Sequence, residues 1–307
     1  MKKIPFLILF VFAFSKEHQA QSVDYTVTDF SQKLSPFKIS ATVALEAILP
    51  QYGFLIQGTV GKRLGYSATY RRNMSKFLFL ANQNEVGNPE QIKTGQYFEA
   101  DVDFLLTDKS KAGAKAKITT ESNAYSEKSF IARVNKRRQW GLHGSLFTYN
   151  RPYFTGVNPN EGNLITLSQN NIDFVPNGTS YGSNVRNFGL SGGIVFKKTK
   201  KSTVHADGWN HFFHQGFRFY VDALFSFTSF QDVTVGGATY NARATDSSPL
   251  GYRLGFEWDQ MGVVTRLELG SRPGVQFLYP FFNYWNLNFS FNLYGGDKRY
   301  GMKSKKK

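Results

Sequence analysis

Cysteine is absent from all 307 residues. That excludes a disulfide framework and a lipoprotein anchor built on an N-terminal cysteine. Beyond the first residues the chain has no apolar run near the about 20 residues that a membrane-spanning helix requires. Hydrophobic residues make up only 41% of it, so a helical membrane protein is excluded as well. Acidic residues are few: 22 Asp and Glu face 37 Lys and Arg, a formal net charge of +15. Such an excess directs a chain toward nucleic acid or an anionic surface.

Aromatic residues are abundant at 16%, with 30 Phe and 16 Tyr, beside 28 Gly. Phe and Tyr pack on pleated surfaces, and Gly relieves crowding where strands bend. At the N-terminus, Lys2 and Lys3 precede an apolar stretch from Ile4 to Phe14, after which the sequence turns polar. A short apolar segment behind a positive start has the form of an export signal, with cleavage expected after Ala20. Residues 1–20 are therefore set apart from the fold. An exported chain seldom meets nucleic acid, so the positive charge is assigned to an anionic surface.

The rest of the chain alternates. Trp285, Leu287, Phe289, Phe291 and Leu293 interleave with Asn286, Asn288, Ser290, Asn292 and Tyr294. Successive side chains of a strand point to opposite faces, so this is a two-faced strand. Residues 217–228, 250–258 and 263–269 repeat the pattern. About twelve strands are expected: 37–48, 53–60, 64–72, 96–107, 113–122, 128–136, 139–149, 185–198, 214–230, 248–258, 263–272 and 283–295. Several exceed the usual five or six residues. Long strands with one apolar and one polar face predict an antiparallel transmembrane β-barrel. The bilayer demands closure, because an open edge leaves backbone groups unpaired in hydrocarbon. Connections alternate in length. Short ones are expected at 61–63, 108–112, 137–138 and 259–262, and a longer one at 199–213 joins the same end. Most of the others are long. The domain plan is residues 21–36 as an N-terminal segment, 37–295 as the barrel and 296–307 as a basic tail.

Asp259-Gln260-Met261-Gly262 fits a four-residue hairpin loop with Gly262 in the left-handed region. That register sets Trp258 opposite Val263, Leu254 opposite Leu267, and Arg253 opposite Glu268, with Glu257 diagonal to Arg266. Arg218 and Asp222 of the neighbouring strand join the same polar face. These six charges form the candidate lumen network. It serves either as ion pairs that fill the interior or as a charged constriction that selects solutes.

Other polar groups suggest weaker chemistry. His143 and Ser145 share a strand face, as a base and nucleophile of a lipid hydrolase could. No orienting partner for His143 is evident in the sequence, and a polar lumen pair is the plainer account. His205, His211 and His214 lie in a segment expected to be a solvated turn; the spacing His211-x-x-His214 could bind a metal, but no third ligand is evident for that pair. Glu99, Asp101 and Asp103 form an acidic stripe, with Lys115 and Lys117 as expected cross-strand partners. Gly192-Gly193 lies within a strand and is no phosphate loop. Lys197, Lys198, Lys200 and Lys201 are expected to flank a turn, and Lys303, Lys305, Lys306 and Lys307 to form a solvated tail. Either cluster could meet anionic headgroups or an anionic periplasmic partner.

The export signal, the alternating strands such as Trp285 to Tyr294, and the unequal connections resemble the outer-membrane β-barrel proteins of Gram-negative bacteria. The tail after Tyr294 departs from barrels that end on an aromatic residue. The resemblance implies an outer-membrane location with periplasmic termini. Its partners would be outer-membrane lipids and lipopolysaccharide, together with envelope proteins, and no nucleic acid or cofactor. It does not fix function. The leading expectation is a non-enzymatic barrel, either a small-solute pore or a structural or accessory envelope component. The alternatives are a lipid- or lipopolysaccharide-modifying hydrolase and a soluble secreted β-sandwich.

Overall fold

In a computed structural model, the chain is described at residues 25–29, 37–46, 49–75, 86–122, 127–155, 165–170, 172–174, 178–206, 209–260, 262–275, 284–295 and 304–305. The expected export signal at 1–20 lies outside these residues, as does the expected tail apart from residues 304–305. Among the described residues there is no helix.

Ten antiparallel strands close into one barrel. In chain order they are β2 (Phe37–Glu46), β3 (Leu49–Val60), β4 (Leu64–Asn73), β5 (Gln96–Ser122), β6 (Glu127–Phe154), β9 (Gly182–Ala206), β10 (Trp209–Phe230), β14 (Leu250–Gln260), β15 (Val263–Ser271) and β17 (Tyr284–Gly295). Each pairs with its neighbours in sequence, and β17 returns to β2 to close the ring. Closure leaves no open edge along the wall, and a two-sheet sandwich is not formed.

The expected count of twelve is corrected to ten. Residues 96–107 and 113–122 belong to one strand of 27 residues, and 128–136 and 139–149 to one of 28. The charged runs at 108–112 and 137–138 had the composition of turns, yet pairing continues through them, with Lys109 opposite Arg138 and Lys111 opposite Lys136. The register shift between Lys111 and Ala114 is absorbed at Gly113, whose φ of +80° suits glycine. Residues 199–206 and 209–213 are likewise strand, and β9 and β10 stay paired to Ala206 and Trp209. His205, His211 and His214 therefore lie in strands, not in a turn.

Side-chain parity divides the wall. Outside, Leu45, Phe54, Phe104, Trp140, Leu146, Leu190, Ile194, Phe227, Trp258 and Phe289 are all more than a third exposed. They form an apolar collar. Inside, Ser40, Thr42, Thr69, Asp101, Ser191, Ser226, Asn286 and Ser290 are buried. A soluble barrel would place these two sets the other way round.

The two ends differ. At one end the connections are 74–95, 155–181, 231–249, 272–283 and the short 47–48. At the other they are 61–63, 123–126, 207–208 and 261–262. The long connections carry a small sheet of β7 (Ile165–Gln169), β8 (Ile172–Phe174), β11 (Val233–Val235) and β12 (Ala238–Ala244). Leu167, Val233 and Ala242 form its core. Two-residue pairs β13 (Ser247–Ser248) and β16 (Gly274–Val275) add to this end. Asn88 pins the 86–95 segment there by accepting from Gly182 N at 2.9 Å and donating to Gly182 O at 2.8 Å.

At the short-turn end β5, β6, β9 and β10 run past the barrel. β6 leaves β9 after the Lys136–Lys200 pair, and β1 (Tyr25–Asp29) takes its place along Ser202 to Ala206. The β5–β6 hairpin then packs against β1 and β9. Ala116, Ile118, Phe130, Ala132, Val134 and Val204 are its buried core, bordered by Tyr25, Val27 and Phe213. On the other edge of β10, β18 (Ser304–Lys305) pairs with Trp209 and Asn210.

Candidate functional site: a charged plug in the lumen

The interior is built in layers, each from strands whose inward positions carry charge. In the central layer Arg253 reaches carboxylates on three other strands. Its Nη1 is 2.5 Å from Glu99 and 3.4 Å from Glu268, and its Nη2 is 2.8 Å from Asp222. Tyr284 donates to Glu268 at 2.6 Å, Tyr220 donates to the other oxygen of the same carboxylate, and Tyr97 donates to Glu99 at 2.6 Å. Toward the short turns, Arg218 bonds Asp103 at 2.8 Å and approaches Glu257 at 3.6 Å. Arg266 lies 2.9 Å from Glu257, and Lys197 lies 2.5 Å from Asp103. Toward the long loops, Glu46 accepts from Arg151 at 2.7 Å and Arg272 at 2.5 Å. The Arg272 guanidinium stacks 3.9 Å above the Tyr284 ring, and Arg71 sits 4.3 Å over Tyr97.

All six residues of the expected network thus meet in the lumen, and all are buried. The hairpin register is corrected by two. Pairing reaches Gln260–Val263, which leaves a two-residue turn with Gly262 at φ +88°. Trp258 faces Thr265, Leu254 faces Leu269 and Arg253 faces Gly270. A shift of two keeps every side chain on its own face. Glu257 becomes the direct partner of Arg266, and Arg253 reaches Glu268 diagonally.

The acidic stripe has other partners than expected. Lys115 and Lys117 are on β5 itself, beyond the barrel. Glu99, Asp101 and Asp103 instead face Arg253, Arg266, Arg218, Lys197 and His143. The lysine cluster at 197–201 flanks no turn, and parity splits it. Lys197 points in, while Lys198 and Lys200 point out with Phe196. Glu46, Arg71, Tyr97, Arg151, Tyr220, Arg272 and Tyr284 were missed. Inward parity on their strands was the signal for Glu46, Arg71 and Tyr220.

Glycines let this packing form. Gly193 stands between His143 and Asp222 in one cross-strand row, and with no side chain there His143 Nδ1 comes within 2.7 Å of Asp222. Gly255 underlies Tyr220 in the same way, since a Cβ there would fall 2.0 Å from the phenol ring. These bare positions let long side chains cross a strand and reach the next.

His143 and Ser145 both point inward, as expected. His143 has an orienting carboxylate, Asp222, that the sequence did not reveal. Ser145, however, donates to Glu99 at 2.9 Å and shares a 2.8 Å bond with Ser191. Both residues are buried within the plug rather than open to the collar. His214 pairs with Asp259 at 3.1 Å. Among the described residues no group of three or more His, Asp or Glu is arranged to hold a metal.

The plug divides the lumen. On its short-turn side is a cavity of about 630 Å3, bordered by Lys38, Lys62, Asp103, Arg137, Lys197 and Asp259 among others. On the long-loop side, a small cavity bordered by Glu46, Tyr149 and Arg272 among others holds about 10 Å3, hardly room for one water. No protein-family model matches the chain, and no curated protein does.

Proposed function

We propose that the chain is a membrane-embedded barrel of the Gram-negative outer-membrane type. Its sealed interior makes it a structural or accessory envelope component rather than a solute pore. The observation that carries this is the pairing of an apolar collar outside with a buried, mutually neutralising charge plug inside. Hydrocarbon tolerates the collar, and ring closure satisfies the backbone within it. The unequal ends support periplasmic termini, with the long connections on the cell surface.

A pore reading requires a continuous aqueous path. The contacts among the central arginines, their carboxylates and Tyr220, Tyr97 and Tyr284 inside the ring favour the sealed reading over such a path. A lipid-hydrolase reading requires a nucleophile open to the lipid side, whereas Ser145 is held by Glu99 and Ser191.

Membrane fractionation and planar-bilayer recording test the proposal. The chain is expected to sediment with the outer membrane and to need detergent for extraction. Reconstituted, it is expected to pass no steady current. Recovery as a soluble protein would overturn the membrane reading, and reproducible ohmic channels would overturn the sealed one.

A further inference from the structure

The β-ladder places six cations in a grid on the outside of the barrel. Lys109, Arg138 and Lys198 occupy one cross-strand row of β5, β6 and β9, and Lys111, Lys136 and Lys200 the row two residues below. Parity fixes their direction. On β6, Arg138 and Lys136 continue the face of Leu142 and Trp140, and on β9, Lys198 and Lys200 continue that of Ile194 and Phe196. Trp140 is 51% exposed and Phe196 37%, so the grid begins where the collar ends. The same rows continue on β10 as Phe217 and Gln215, so no carboxylate is interleaved with them. Asp108 lies on the opposite face, bonded to Arg137.

Like charges directly opposite one another on neighbouring strands destabilise a sheet. Neighbours here are ~5 Å apart across strands and roughly 7 Å apart along them, well inside a Debye length. Lys136 registers this: desolvation, followed by the charges of Arg138, Lys198, Lys200 and Lys111, pulls its pKa below the usual lysine value. A concentrated positive patch of this kind is stabilised by an external anion.

We propose that this grid docks the phosphates of anionic phospholipids in the leaflet facing the short turns. The inference rests on the membrane-embedded reading above. Its position argues for lipid over an acidic protein partner. Exposed Trp140 and Phe196 stand directly above the cations, the order in which acyl chain and headgroup are met on crossing a membrane interface. Lysine and arginine stems can lie along the lower collar while their charges reach the headgroup plane.

The test uses the full chain reconstituted in phosphatidylcholine vesicles with and without phosphatidylglycerol. Protease protection of the barrel in plain phosphatidylcholine first checks insertion. Failure there would sink the membrane reading and this proposal with it. Given insertion, phosphatidylglycerol is expected to raise the urea midpoint of the parent, and native mass spectrometry to find it retained over phosphatidylcholine. Both effects should vanish in the triple variant Lys136→Gln, Arg138→Gln, Lys198→Gln. They should survive in Lys93→Gln, Arg186→Gln, Arg243→Gln, which removes equal charge near the long loops. No lipid preference in the inserted parent, or a preference kept by the grid variant, would overturn the proposal. So would soluble polyglutamate reproducing the stabilisation in plain phosphatidylcholine, since an acidic protein would then be the occupant.

Discussion

His143 Nδ1 and Asp222 Oδ1 lie 2.7 Å apart across the bare backbone of Gly193. The contact exists because the intervening strand position has no side chain. A Cβ at Gly193 would fall 1.8 Å from Val221 O and 2.6 Å from Asp222 Oδ1, whereas one at Gly192 meets nothing within 4 Å. Gly193→Ala is therefore expected to lower stability by about 1–3 kcal/mol, the usual cost of overpacking. Gly192→Ala should change it little. Urea unfolding of the two reconstituted variants checks this, and equal midpoints would refute the packing argument.

Arg253 is the central cation of the plug, facing Glu99, Asp222 and Glu268. Removing one member of a buried charge cluster leaves its partners uncompensated, at about 3–5 kcal/mol. Arg253→Ala should show that loss in urea unfolding. Adding Glu99→Gln and Glu268→Gln should recover part of it, because the stranded charges go too. No recovery would mean that Arg253 acts through packing alone.

Asp108 lies below the collar, and hydrogen bonds from the Arg137 guanidinium hold its carboxyl below the usual aspartate range. The folded state therefore favours the ionised form. Its stabilisation is complete above the ordinary aspartate value of about 3.9 and fades as pH falls through the depressed folded value. Relative to Asp108→Asn, the parent should be more stable at neutral pH, by at most about 1 kcal/mol for an exposed pair, and should lose that margin in acid. Urea midpoints across a pH series measure this, and a pH-independent difference would exclude the pair as its cause.

The extension of β5 and β6 has its own core, in which Ala132 and Val134 are fully buried. Val134→Asp would bury a carboxylate among apolar side chains without a partner. Limited proteolysis should then cut within 114–134 while the paired barrel wall stays resistant. Unchanged resistance across that stretch would show that the extension does not depend on this core.

Strand alternation made the barrel legible because a period of two is local: Trp285 to Leu293 declare one face whatever their partners. Parity likewise marked Arg218, Asp222, Arg253, Glu257, Arg266 and Glu268 as one inward set, and it survived a register error of two. Strand ends were less legible. Lys109, Lys111, Arg137 and Arg138 carry the composition of a turn, and nothing in the sequence shows that strands beside them continue the ladder.

The two-faced strands and the inward or outward direction of their side chains follow from neighbours along the chain and were legible there. That ten strands close the ring, that Glu46 meets Arg151 and Arg272, and that Asp222 reaches His143 across Gly193 became visible in the folded barrel alone. Those depend on hydrogen-bond register between strands far apart in sequence, and on how far a side chain can cross when its neighbour has none.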